Sequence, residues 1–241
     1  MRGFRRRRGM YVARLDDDER GVIAALVADV AELLGAGRLE ARDPVTAPAD
    51  ADDGLPRVRL EPVAPPTDPA VRRLLPDASR DDPEVAAEFR RLTEDDLRAG
   101  KIARLTRLWS AVSTPVDGWR VDAFVLSPDD AQDVAAALTD LRLVLAERLD
   151  IRTDSQAERL YDQLLTSPTT DVSSDEPFPS AEPASDEETV DADALDPATR
   201  RYLVAVYGAL SWLQESLVEV LLKDLRAGGG RPPSGQRPTS G

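Results

Sequence analysis

Residues 202–222 read YLVAVYGALSWLQESLVEVLL, the most apolar run of the chain. At about 100° per residue, Leu203, Val206, Tyr207, Leu210, Leu213, Leu217, Val220 and Leu221 gather on one side, with Gly208, Trp212, Glu215 and Glu219 on the other. That spacing predicts an amphipathic core helix. A membrane span needs about 20 predominantly apolar residues. Gln214, Glu215 and Glu219 interrupt this run, and a carboxylate at bilayer depth is costly, so the helix is expected to close a soluble core. Gln214 falls inside the apolar stripe and should be hydrogen-bonded there, with Arg98 or Lys101 as its neighbour. Trp212, on the far side, is a candidate interface residue.

One such helix needs partners. Ser127, Pro128 and Asp130 form an N-cap, a first-turn proline and a third-position acid, and Val134, Leu138, Leu141, Leu145 and Leu149 supply the buried face of the helix they start. A second helix starts at the 16–18 acidic cluster, carries Val22, Ile23, Leu26, Val27, Val30, Leu33 and Leu34, and stops at Gly35 and Gly37. Asp82 with Pro83 opens a helix to about residue 92, and Thr93 with Asp96 resembles a capping box that restarts one to about 112. Two helices meeting at a short turn also admit a helix-turn-helix reading of DNA. Shorter helices are expected at 68–75 and 154–165, and strands at 10–15 and 119–126, which would pair because one strand alone is not stable.

The fold class is therefore mainly α: a single helical domain with a minor two-stranded β element and two disordered inserts. Residues 1–9 form a basic N-terminal arm. Residues 10–165 form the helical domain, with a loop at 38–67 that carries six prolines. Residues 166–199 hold ten carboxylates and no Lys or Arg, which predicts an acidic disordered insert. Residues 200–226 return as the C-terminal core helix of the same domain, and 227–241 form a disordered tail.

Cysteine and histidine are both absent. This excludes disulfides, thiol nucleophiles, Cys/His zinc sites, histidine bases and Ser-His-Asp triads. No Walker A loop or GxGxxG fingerprint occurs. No catalytic, cofactor-binding or metal-binding residue is assigned, and the expectation is a non-enzyme without a cofactor. The basic start lacks the apolar core of an export signal, so a cytoplasmic location is expected. A net charge of −14 opposes nonspecific attraction of the whole molecule to nucleic acid or anionic lipid, but leaves room for a local basic patch.

Candidates for such a patch are Arg5, Arg6, Arg7 and Arg8, in an arm that either contacts phosphates or is simply solvated, together with Arg90, Arg91, Arg104 and Arg107, read as exposed. Arg98 and Lys101 project into the apolar arc of Leu97, Ile102, Leu105, Leu108, Trp109 and Val112. They are either ion-paired within the fold or hold an acidic ligand, and with Gln214 they form a candidate buried polar cluster.

Four stretches occur together: LLPDASRDD at 74–82, AAEFRRLTEDDLRAGKIARL at 86–105, ALTDLRLVLAERLDI at 137–151 and YGALSWLQESLVEVLL at 207–222. In combination they resemble an actinobacterial domain-of-unknown-function family that includes the AosR oxidative-stress regulators. The resemblance implies a cytoplasmic transcriptional regulator that works with the transcription machinery, and in mycobacterial members senses oxidation through cysteines, which this chain lacks. The expected function is thus a non-enzymatic regulator acting through protein partners such as a sigma factor or RNA polymerase, with DNA contact secondary. The alternative is a helical adaptor or oligomeric structural protein with no nucleic-acid role. The oligomeric state is left open.

Overall fold

The computed structural model describes residues 1–39, 63–153, 155, 156, 159 and 195–228. Most of the proline-rich loop, most of the 154–165 helix, the acidic insert up to residue 194 and the tail from 229 lie outside the described residues. Within them the chain is mainly helical, with a small sheet: β1 (Arg2–Arg7), β2 (Met10–Arg14), α1 (Asp17–Leu33), α2 (Pro69–Leu74), α3 (Pro83–Ser113), β3 (Ala123–Leu126), α4 (Pro128–Arg148) and α5 (Pro197–Gly228).

The helix starts follow from capping chemistry. Asp16 and Glu19 form a reciprocal capping box on α1, and Gly35, at φ +86°, ends that helix in the left-handed region. Asp82 accepts from the Glu84 and Val85 amides ahead of α3, and Ser127 accepts from the Asp130 amide ahead of α4. Asp196 does the same for α5 through the amides of Ala198 and Thr199.

Helix α4 occupies the centre, touching α1, α2, α3, α5 and β2. Its Val134, Ala137, Leu138 and Leu141 are fully buried. Of the apolar stripe on α5, Tyr207, Leu210, Leu213 and Leu217 are buried and Leu203, Val206, Val220 and Leu221 half-buried, while Val204, outside that stripe, is buried too; the helix packs on α4 and β1. The expected contacts of α5 with α1 and α3 are not substantial; those two helices pack on each other and on α4. Gly208, placed on the outer side by periodicity, is buried.

Two further expectations are corrected. Residues 83–113 form one continuous helix, because nothing interrupts its hydrogen-bond ladder: the Thr93 hydroxyl donates to the Phe89 carbonyl at 2.8 Å instead of capping a new helix. The helix-turn-helix reading goes with the missing turn. The sheet has three strands, not two, in the order β1-β2-β3, and the basic N-terminal run supplies the third.

That run can pair because Arg8 and Gly9 adopt φ of +51° and +80°, the signs a two-residue type I′ hairpin needs. Arg2 then sits opposite Arg14 and Arg5 opposite Val12, so β1 has one more residue than β2 over this interval. This bulge keeps both arginines on one face while Phe4 turns inward to meet Phe124, ring centroids 5.3 Å apart. Gly3 is needed where β1 crosses α5: a Cβ there would lie 2.8 Å from the Ser216 Cβ. The sheet's far edge is closed by Arg20, which donates to the carbonyls of Val112 at 2.7 Å and Ala123 at 2.6 Å.

Candidate anion-binding surface

Alternation along the strands sorts their side chains. Phe4, Tyr11, Ala13, Phe124 and Leu126 belong to the main core, whereas Val12, Ala123 and Val125 make a separate small cluster on the outer face with Met10 and Trp119 against it. Around that cluster lies a concavity of about 600 Å³. Val12, Ala123, Gly118 and Trp119 line it, and six arginines surround it: Arg2, Arg5, Arg7, Arg8, Arg14 and Arg120. Asp122 is the only carboxylate among the described residues that line it.

The arginines are not equivalent. Asp122 takes Arg14 Nε at 2.7 Å and Arg120 Nε at 2.9 Å. Arg120, then Arg14, hold its carboxyl down at about 2, against an ordinary value of 3.8. Arg8 lies over the Trp119 ring, its guanidinium carbon 5.5 Å from the centroid. Arg2, Arg5 and Arg7 form no ion pair among the described residues. Three guanidiniums on one face, without an ion-pair partner among the described residues, attract phosphate or carboxylate and offer each a fork of donors. Among the described lining residues no nucleophile with an adjacent base accompanies them, and the described residues contain no group of three or more acidic side chains that could hold a metal.

The residues singled out from the sequence are dispersed by the fold. Arg5, Arg7 and Arg8 reach this surface. Arg6 points to the other side, where it binds Asp224 at 2.7 Å beside the Tyr11 hydroxyl, also 2.7 Å from that carboxylate. That hydrogen bond, and then burial, push the Tyr11 hydroxyl above its usual range. Arg90 is buried instead of exposed, between Asp77 and Glu94. Arg91 is half-buried against Glu88, and Arg107 is paired with Asp130 and Asp133. Arg104 is half-buried, its Nε without a hydrogen-bond partner. The α3 arginines thus form no common surface with the N-terminal ones.

Nor do Arg98, Lys101 and Gln214 cluster. Arg98 donates to the Leu34 carbonyl at the end of α1 and pairs with Glu94, while Lys101 pairs with buried Asp140 at 2.6 Å. Gln214 is hydrogen-bonded, but its partners are Arg142 at 2.7 Å and the Ala135 carbonyl at 3.1 Å. Trp212 is 46% exposed and edges toward Gly3 on β1.

Sequence reasoning missed Trp119, Arg120 and Asp122 as parts of the surface; Arg2 and Arg14 add to the basic run in the sequence but were not among the candidate contacts. The signal was present in the hairpin: a basic run, a residue-plus-glycine turn at 8–9, and an alternating apolar segment behind it.

No helix among the described residues is long and apolar enough to cross a membrane. A family model described as Domain of unknown function (DUF2017) matches residues 1–221 of the chain. No curated protein and no solved structure matches it.

Proposed function

We propose that this chain, which belongs to the DUF2017 family, is a non-enzymatic regulatory protein that works by contact with an anionic macromolecule through the outer face of its sheet. The observation that carries this reading is the segregation of charge: six arginines and one aspartate gather around one concavity in a chain whose net charge is −14. Such a patch persists against the overall field only locally, within about a Debye length of 8 Å at physiological salt, so contact must be close. The resemblance to oxidative-stress regulators supports a cytoplasmic role in stress-responsive transcription, alongside RNA polymerase or a sigma factor, with the arginine face on nucleic acid. Sensing of oxidation would then fall to a partner, since the chain has no cysteine.

A salt titration of nucleic-acid binding tests this. Binding at 50 mM salt should weaken with a slope of about −0.7 to −0.9 per phosphate contacted, and Arg5→Ala with Arg7→Ala should reduce the slope by about 1.5. No binding at low salt, or a slope the double variant leaves intact, overturns the reading.

The adaptor reading rests on a different surface. Val85, Phe89 and Leu92, 51%, 43% and 41% exposed, recur at helical spacing on the first half of α3. Light scattering that shows a dimer broken by Phe89→Glu would favour it.

A further inference from the structure

We infer that the occupant of the arginine-lined concavity is a single-stranded nucleic acid, with Trp119 stacking on a base and the β1 arginines holding the phosphates. This rests on the reading of the sheet face as a polyanion site and goes further, because two features of the face have no use for a duplex.

The first is shape. A protein reads duplex bases by sending an element into a groove, and here the sheet face is a hollow with Val12 and Ala123 among its lining residues, flanked by Trp119. A hollow receives a protruding group. In a duplex the flat faces of the bases are stacked away, whereas an unpaired strand presents them. The second is Trp119 itself. It is only half-buried, packs on the small outer cluster apart from the main core, and already accepts a planar cation, Arg8, over its ring. A ring held in this way is a stacking platform, and Gly118, at φ +79° with open space where a Cβ would be, leaves its flank clear.

Extent argues for a polymer over a free nucleotide. Arg2 to Arg7 is six residues of strand, a row of about 17 Å at 3.3–3.4 Å per residue. Arg14, opposite Arg2 on the neighbouring strand, and Arg120, ahead of β3, add charge beside that row. A mononucleotide concentrates its phosphates at one end and engages only part of that row. A chain of nucleotides lays phosphates along it while one base turns into the hollow.

The experiment uses the full chain and fluorescence anisotropy of a labelled 12-nucleotide single strand, DNA and RNA separately, against the matching 12-base-pair duplex, with unlabelled ATP as competitor. Single strands should bind at least tenfold tighter than duplex. Trp119→Ala should lose about tenfold with an unchanged salt slope, Trp119→Phe should retain most of the affinity, and ATP should compete only at far higher phosphate concentration. Circular dichroism melting of each variant separates lost stacking from lost folding; if Trp119→Ala does not fold, Trp119→Leu replaces it. Duplex binding as tight as single-strand binding overturns the inference while leaving a polyanion site intact. ATP competing at equal phosphate concentration overturns the polymer, and Trp119→Ala binding like the parent overturns the stack. Loss of all nucleic-acid binding overturns the inference and the proposed function together.

Discussion

Asp122 is the one acidic residue among the described residues that line the arginine face, and it holds two of the six guanidiniums. In physical terms it occupies part of the site as a ligand's phosphate would. Asp122→Asn should therefore release Arg14 and Arg120 and tighten polyanion binding severalfold at low salt, read by titration against the parent. The same pair of arginines makes the residue a reporter of acid stability. Its folded pKa, about 2, lies below the ordinary 3.8, so its contribution is complete above pH 4 and is lost as pH falls toward 2. Melting temperatures of parent and variant should differ at pH 7 and converge near pH 2; a gap unchanged at pH 2 would assign the difference to something other than the carboxylate charge. Residue-scale reading was uneven for a reason visible at Lys101 and Gln214. Periodicity shows that a polar side chain faces the core and so needs a partner, but it carries no information about which neighbouring helix supplies one. Asp140 and Arg142, on α4, were the answers.

At the scale of elements, starts and stops were legible wherever a cap bonds locally: Asp16, Asp82 and Ser127 each accept an amide two or three residues on. Thr93 shows the limit of that logic. A serine, threonine or aspartate makes a cap only where the backbone leaves the helix, and Thr93 sits where it does not. Continuity of α3 gives Gly100 a definite role as a helix-interior glycine with nothing within 4 Å of an added Cβ. Gly100→Ala should raise stability by about 0.5–1 kcal/mol in urea denaturation. Destabilisation by the same substitution would mean that the chain turns there after all. The hairpin was harder to read than the helices because β1 contains four arginines in six residues, with Gly3 and Phe4 lying at a register shift; once the bulge is taken out, the period-2 pattern is plain. Its stability comes from what lies underneath: Phe4 on Phe124, and the Phe4 amide donating to Ser216 Oγ at 3.0 Å.

At the scale of the molecule, the run that decides the fold class proves to be a flank of the core, and the helix it packs on, α4, is its centre. Hydropathy ranks segments by how completely they are apolar, whereas a central helix needs burial on several sides and tolerates polar residues that pair with its neighbours, as Asp140 does with Lys101. Charge is divided just as unevenly. Residues 166–194 hold nine carboxylates and no Lys or Arg, so their removal takes the net charge from −14 to −5 while leaving every residue of the arginine face in place. The field opposing an approaching polyanion falls accordingly. A chain lacking 166–194, with a neutral Gly/Ser linker of equal length, should bind single-stranded nucleic acid more tightly and associate faster at 50 mM salt, and the advantage should shrink toward nothing by 300 mM as the Debye length contracts. Association rates measured by stopped-flow across that range decide the point. A gain that persists undiminished at high salt would show that the acidic segment acts by direct contact and not through the field of the whole molecule.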